Sequence, residues 1–219
     1  MNSRKRALYE TFARVGKTLA SASRLEILDL LAQSERSVEA LASESGLSIA
    51  NMSQHLQSLR RARLVEARRQ GLRIVYRLAS PEVGELFRVL RDVAAARLAE
   101  MDEIAGAYLE GRDDLEPVSR AELLRRMREG TVTVLDVRPR EEFLAGHLRG
   151  ALCVPLEDLD AWMRTAPRRR RVVAICRGPY CVFALQAAGR LVERGFDATH
   201  SRDGVLELRA AGIRLQAGP

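Results

Sequence analysis

Apolar residues recur at spacings of three and four through the first sixty positions, then at every second position, and later in short apolar runs separated by helical patterns. Leu8, Phe12, Val15 and Leu19 share one face of a helix predicted over residues 7–20. Ser23 stands where an N-cap belongs, before a second helix with Leu25, Leu28 and Leu31 inward. A short third helix opens at Ser37, turns Val38, Leu41 and Ala42 inward and closes at Gly46. Ser48 starts a fourth, with Met52, Leu56 and Leu59 on its inner side. Helix, glycine turn, helix is the helix-turn-helix arrangement.

From residue 64 the period becomes two. The stretch "LVEARRQGLRIVYRLA" predicts strand, turn at Gln70-Gly71, strand, hence a β-hairpin with exposed arginines. Pro81 opens a helix expected to run unbroken to residue 110, apolar along a stripe broad enough to need a partner, so a homodimer is expected. Residues 111–118, polar and containing Gly and Pro, form the expected linker. From 119 to 219, apolar strand runs such as "TVTVLDV" and "RVVAIC" alternate with helices, the signature of an α/β domain whose central parallel sheet is covered on both faces. The reading is therefore of two domains, a mostly α domain at 1–110 and an α/β domain at 119–219.

Composition narrows the class. A chain of 219 residues with 47% hydrophobic and 30% charged residues is globular rather than disordered. It has no apolar run near the roughly 20 residues that span a bilayer. The N-terminus lacks the apolar core of a secretory signal, so a cytoplasmic location and no membrane partner are expected. Three cysteines in such a chain point to reactive, metal-bound or buried thiols rather than a disulfide framework. The net charge of +7 points to a polyanionic partner, although Lys5 and Lys17 are the only lysines and a GC-rich genome would also favour arginine.

Where the arginines cluster is more telling. Arg60, Arg61, Arg63, Arg68, Arg69, Arg73 and Arg77 stand against the single acid Glu66, at the end of the fourth helix and across the hairpin. That is the electrostatic footprint of a surface for double-stranded DNA. Ser48, Asn51, Ser53, Gln54, His55 and Gln57 fall on or beside the same helix, with Asn51, Gln54 and His55 favoured for base edges in the major groove. His55 reads equally as a surface histidine.

This region, through Arg24 with Ile27-Leu28, Ser53-His55-Leu56 and the Arg73/Tyr76-Arg77 wing, resembles the winged helix-turn-helix of the ArsR/SmtB family of dimeric bacterial repressors. The resemblance implies a β-hairpin wing, a homodimer and an operator. The family's usual metal ligands are missing: "ERSVEAL" has no cysteine and the last helix of this domain no histidine, so no metal site is expected.

In the second domain, Cys176 ends an apolar strand just before a helix. Its loop, Arg177, Gly178, Pro179, Tyr180 and Cys181, sits where open α/β sheets bind ligands and where helix N-terminal amides stabilise an anion. A thiol there is expected to ionise near neutral pH. Asp136-Val137-Arg138, Glu142-Phe143, Gly146-His147, Gly150-Ala151 and Pro155, with Gly204 and Gly212 further on, resemble the rhodanese signature. The resemblance implies that Cys176 accepts a sulfane sulfur from thiosulfate, a persulfide or a polysulfide, that Asp136 and Arg138 support the loop, and that Arg177 is the cation for an anionic donor. The loop departs from the common pattern, with glycine second and proline third after the cysteine. Cys181 is either a resolving thiol for Cys176 or a small apolar residue in the first helical turn; Cys153 reads as core. No cofactor is expected. Two functions follow: a repressor whose rhodanese-like domain senses reactive sulfur at Cys176 and Cys181, or a sulfurtransferase with an attached DNA-binding domain.

Overall fold

In the first unit, spanning Met1–Leu90, α1 (Ser3–Leu19) buries only Leu19, while Leu8 and Phe12 are 59% and 63% exposed. The computed structural model describes residues 3–109 and 115–218. α2 (Ala22–Gln33) starts at Ser21 rather than at Ser23: Ser21 has the extended backbone of an N-cap, and its carbonyl accepts the Arg24 and Leu25 amides at 3.1 Å each. Ser23 lies inside the first turn. With Ile27, Leu28, Leu30 and Leu31 all buried, α2 is the central helix.

A two-residue strand, β1 (Arg36–Ser37), which no alternation foreshadows, precedes α3 (Val38–Glu44). Ser37 Oγ caps α3 by accepting the Ala40 amide at 3.3 Å. Ser48 Oγ caps α4 (Ile49–Arg61) in the same way, accepting the Asn51 amide at 3.2 Å. α4 ends in a Schellman turn: Leu64 N–H donates to Leu59 O at 3.0 Å and Arg63 N–H to Arg60 O at 2.9 Å, with Arg63 at a φ of 58°. The hairpin of β2 (Val65–Gln70) and β3 (Arg73–Leu78) pairs Gln70 with Arg73, so its turn is Gly71-Leu72, one residue later than the pattern predicts. Gly71 supplies the positive φ, 61°, that such a turn needs. β1 joins β3, giving the sheet order β1-β3-β2. Ile27, Leu28, Leu41, Met52, Leu56 and Leu59 are fully buried in the core of this unit.

The unit boundary falls within α5 (Pro81–Arg97), after which α6 (Glu100–Leu109) follows. The unbroken helix expected from 81 to 110 is thus interrupted at Leu98-Ala99, and residue 110 lies outside the described residues. Neither Pro nor Gly stands at the break. Val93 and Leu98 are 55% and 47% exposed, so no packing along the chain holds the stripe in one line.

The second unit is Arg91–Pro219. Of the expected linker, 111–114 lie outside the described residues, while the Val118 amide donates to His200 O at 2.8 Å. The elements run α7 (Arg120–Arg128), β4 (Val132–Asp136), α8 (Arg140–Ala145), β5 (Leu152–Cys153), α9 (Leu159–Thr165), β6 (Arg171–Ile175), α10 (Val182–Glu193), β7 (Ala198–His200) and α11 (Val205–Ala210). All strand pairs are parallel, in the order β5-β4-β6-β7. Along β6, Val172 and Ala174 enter one buried cluster and Val173 and Ile175 the other, so both sheet faces are covered. Parallel register brings Asp136, Cys153 and Ile175 to one end of the sheet and Val132 and Arg171 to the other. No helix of the described residues is long and apolar enough to cross a membrane.

Candidate functional site

Cys176 leaves the C-terminal end of β6 and is buried, at 2% exposure. The next five residues, Arg177 to Cys181, are each half-buried and curl back so that the Cys181 amide donates to Gly178 O at 3.1 Å. Cys181 occupies the N-cap position of α10 but its side chain makes no cap bond. The sulfur is instead joined to Cys176 as a disulfide, across Cα atoms 6.3 Å apart. The loop therefore lies before the uncapped first turn of a twelve-residue helix, whose amides and dipole favour negative charge.

Three buried charged residues, Asp136, Arg138 and Glu142, lie on or just beyond the same end of β4. Asp136 and Arg138 form a two-pronged ion pair, Nε to Oδ1 at 2.9 Å and Nη2 to Oδ2 at 2.6 Å, and Arg138 Nη2 also donates to Gly146 O at 2.8 Å. Glu142, fully buried, accepts Arg177 Nε at 3.0 and 3.1 Å on its two oxygens. Arg177, the expected cation for an anionic donor, is thereby turned inward onto Glu142 and over the Phe183 ring, 5.6 Å from its centroid. A buried carboxylate without a counter-charge is costly, and Arg177 supplies one at hydrogen-bond distance, with Arg138 Nη1 a further 4.0 Å from Glu142 Oε2. The sequence pattern marks Glu142 only by its match to a signature; its ion pair with the loop needs the fold, because Glu142 and Arg177 are 35 positions apart.

Gly204 is the other residue the sequence left without a role. A Cβ there would overlap the Arg177 carbonyl group and the Gly178 nitrogen, so only glycine lets the α11 entry lie against the loop. The Gly204 amide donates to Glu207 Oε2 at 2.8 Å. Cys153, by contrast, is raised in pKa by burial first and then by Asp136, and so favours the neutral thiol.

The second surface is α4 with the hairpin. Asn51, Gln54, Gln57, Arg60 and Arg61 are exposed on α4, and Ser53 and His55 are half-buried. The Ser48 hydroxyl holds the helix end. On the hairpin Arg73 is exposed, Arg68 pairs with Glu35, Arg77 with Glu66 at 2.7 Å, and Arg69 Nε donates to Gly71 O at 3.1 Å. The cluster is thus less uniformly free than its sequence implies.

Residues 21–67 match the model of the bacterial regulatory protein, arsR family, and residues 119–209 that of the rhodanese-like domain. Over 217 residues the chain is 44% identical to the HTH-type transcriptional regulator Rv0324 of Mycobacterium tuberculosis, covering 99% of this chain and 95% of that protein. The chain belongs to the ArsR-family transcriptional regulators that carry a rhodanese-like domain. Its first domain is also 46% identical, over 94 residues, to the HTH-type regulator Rv0081 of the same organism, covering 42% of this chain and 82% of that one. A solution structure of the homodimeric winged helix-turn-helix domain of Mb0332 from Mycobacterium bovis shares 48% identity, with a TM-score of 0.43, and covers 46% of this chain and 93% of that domain.

Among the described residues no cluster of His, Cys, Asp and Glu is arranged to hold a metal ion. The two cysteines brought together are both in the rhodanese-like domain.

Proposed function

We propose that the protein is a dimeric repressor whose affinity for operator DNA is set by sulfur chemistry at Cys176 and Cys181. The observation that carries this reading is the bond between the two sulfurs across a loop at the end of β6. With both cysteines reduced, the Cys176 thiolate attacks the terminal sulfur of a hydropolysulfide; the S–S bond breaks, Cys176 becomes a persulfide and the shortened polysulfide leaves. The Cys181 thiolate then attacks the Cys176 sulfur and expels hydrosulfide. Two thiols are oxidised to a disulfide while sulfane sulfur is reduced to sulfide. The α10 N-terminus stabilises the anions that form, and Arg177, held by Glu142, keeps the loop in place.

Dimerisation is supported by apolar side chains that the first unit leaves in solvent, Leu8, Tyr9 and Phe12 on α1 and Leu86, Val89 and Leu90 on α5. DNA contact is assigned to α4, through Asn51, Gln54 and His55 at base edges and Ser53, Gln57, Arg60 and Arg61 along the groove, and to Arg68, Arg69 and Arg73 of the wing on phosphates.

The test is operator binding by fluorescence anisotropy with and without sodium tetrasulfide, for wild type, Cys176→Ser and Cys181→Ser, with intact mass in parallel. A coupling of about 1–3 kcal/mol predicts a change of about 5- to 150-fold for wild type and none for Cys176→Ser. Cys181→Ser is expected to retain added sulfur without closing a bridge. Unchanged wild-type affinity with sulfur attached to Cys176 would sink the sensor. A sulfurtransferase reading draws on the half-exposed loop, which leaves a donor access to the site. Steady conversion of thiosulfate and cyanide to thiocyanate and sulfite at about 1–10³ per second would establish it.

A further inference from the structure

At the end of the sheet opposite Cys176 lies a groove of about 710 Å³. Gly130 and Arg170, on its lining, precede β4 and β6, whereas Cys176 follows β6, so the groove is separate from the cysteine loop. Its floor is apolar: Val134 belongs to a buried sheet face, and Met127 and Ile213 pack partly buried against the same cluster. Four arginines line it as well, Arg128, Arg149, Arg170 and Arg214, each exposed. Among the described residues none of the four pairs with a carboxylate; Arg128 Nε donates only to Leu124 O, at 3.3 Å. Several other arginines of the unit are held by acids: Arg125 holds Glu122 and Glu129, Arg138 holds Asp136, and Arg190 holds Asp160.

We propose that this groove binds an amphiphilic anion, an alkyl or acyl chain ending in a carboxylate or phosphate. The floor offers a hydrated inorganic ion nothing in exchange for its water, but it matches an apolar chain. Guanidinium forks at the rim match a carboxylate or phosphate head in two-pronged geometry. The volume falls within the range of about 300–1,000 Å³ typical of small-molecule sites. Met127, with its flexible thioether, adapts the floor to the chain. This site does not depend on the sulfur chemistry at Cys176.

Titration calorimetry of the full-length protein, with probes kept below their micelle-forming concentrations, tests the proposal. Laurate and dodecyl phosphate are expected to bind at one per chain, while dodecanol and inorganic phosphate bind at least tenfold more weakly. The tighter of the first two identifies the head group as carboxylate or phosphate. Arg149→Glu with Arg214→Glu should weaken both at least tenfold, and Ile213→Trp, which fills the groove, should do the same with an unchanged melting curve. Arg61→Ala with Arg73→Ala, on the DNA-facing surface, should leave binding as it is. Dodecanol binding as tightly as laurate, anion binding unaffected by the groove variants, or no saturable binding of either anion would each overturn the assignment.

Discussion

Among the described residues Arg60, Arg61 and Arg73 of the first unit are exposed and bonded to no carboxylate, whereas Arg138 of the second is fully buried between Asp136 and Gly146 O. The same side chain thus serves opposite ends. In water it is free to neutralise a phosphate, which releases the polyanion's condensed counterions into solution, and it contributes little to the fold. Out of water it is bound in fixed geometry, and the fold depends on its partner being present. The lesson is that arginine count marks a nucleic-acid surface only after the paired arginines are removed from it.

The strongest way to break this comparison is Asp136→Ala, which leaves Arg138 buried without its carboxylate. A loss of about 3–5 kcal/mol in the denaturation of the second unit is expected, and a loss below about 1 kcal/mol would show that Arg138 is solvated after all. Gly204→Ala comes next. Its Cβ must displace the loop backbone, costing about 1–3 kcal/mol and slowing sulfur uptake at Cys176 while operator binding by the reduced protein stays unchanged. The exposed side is then sharpened by Arg61→Ala, expected to lower the salt dependence of operator binding by about one unit of slope, measured from 50 to 200 mM salt. Arg68→Ala should lower it less, because Arg68 is already paired with Glu35. Ser48→Ala removes the α4 cap and should cost about 1 kcal/mol of stability in thermal melts. Smallest is Arg63→Gly, which relieves the left-handed backbone of the Schellman turn and should raise stability by up to about 1 kcal/mol.

Much of the α/β unit is legible in the sequence because its strands are short apolar runs between amphipathic helices, and Cys176 sits at a strand end that can be located by counting. The pairing of Glu142 with Arg177 was not legible, since it joins residues on α8 and the β6–α10 loop that only the sheet brings together. Nor was the close approach of Gly204, which depends on where α11 begins relative to that loop. In the first unit the sequence pattern puts the α2 cap at Ser23 and the backbone puts it at Ser21, because the two serines are chemically equal and only backbone conformation separates them. The two-residue β1 is too short to show alternation, and its pairing with Tyr76 and Val75 of β3 is a non-local choice.

By itself the sequence determined most of the elements, though not β1 or the break between α5 and α6, through periodicity, capping serines and turn glycines, all of them interactions within a few positions along the chain. It also determined the chemistry available in each unit, a basic helix and hairpin in one and a cysteine loop in the other. Tertiary structure alone decided which charges are consumed. Desolvation and pairing are set by neighbours tens of residues away, so only the folded chain separates Arg61, which is exposed, from Arg68, which is paired, and joins Arg177 to Glu142.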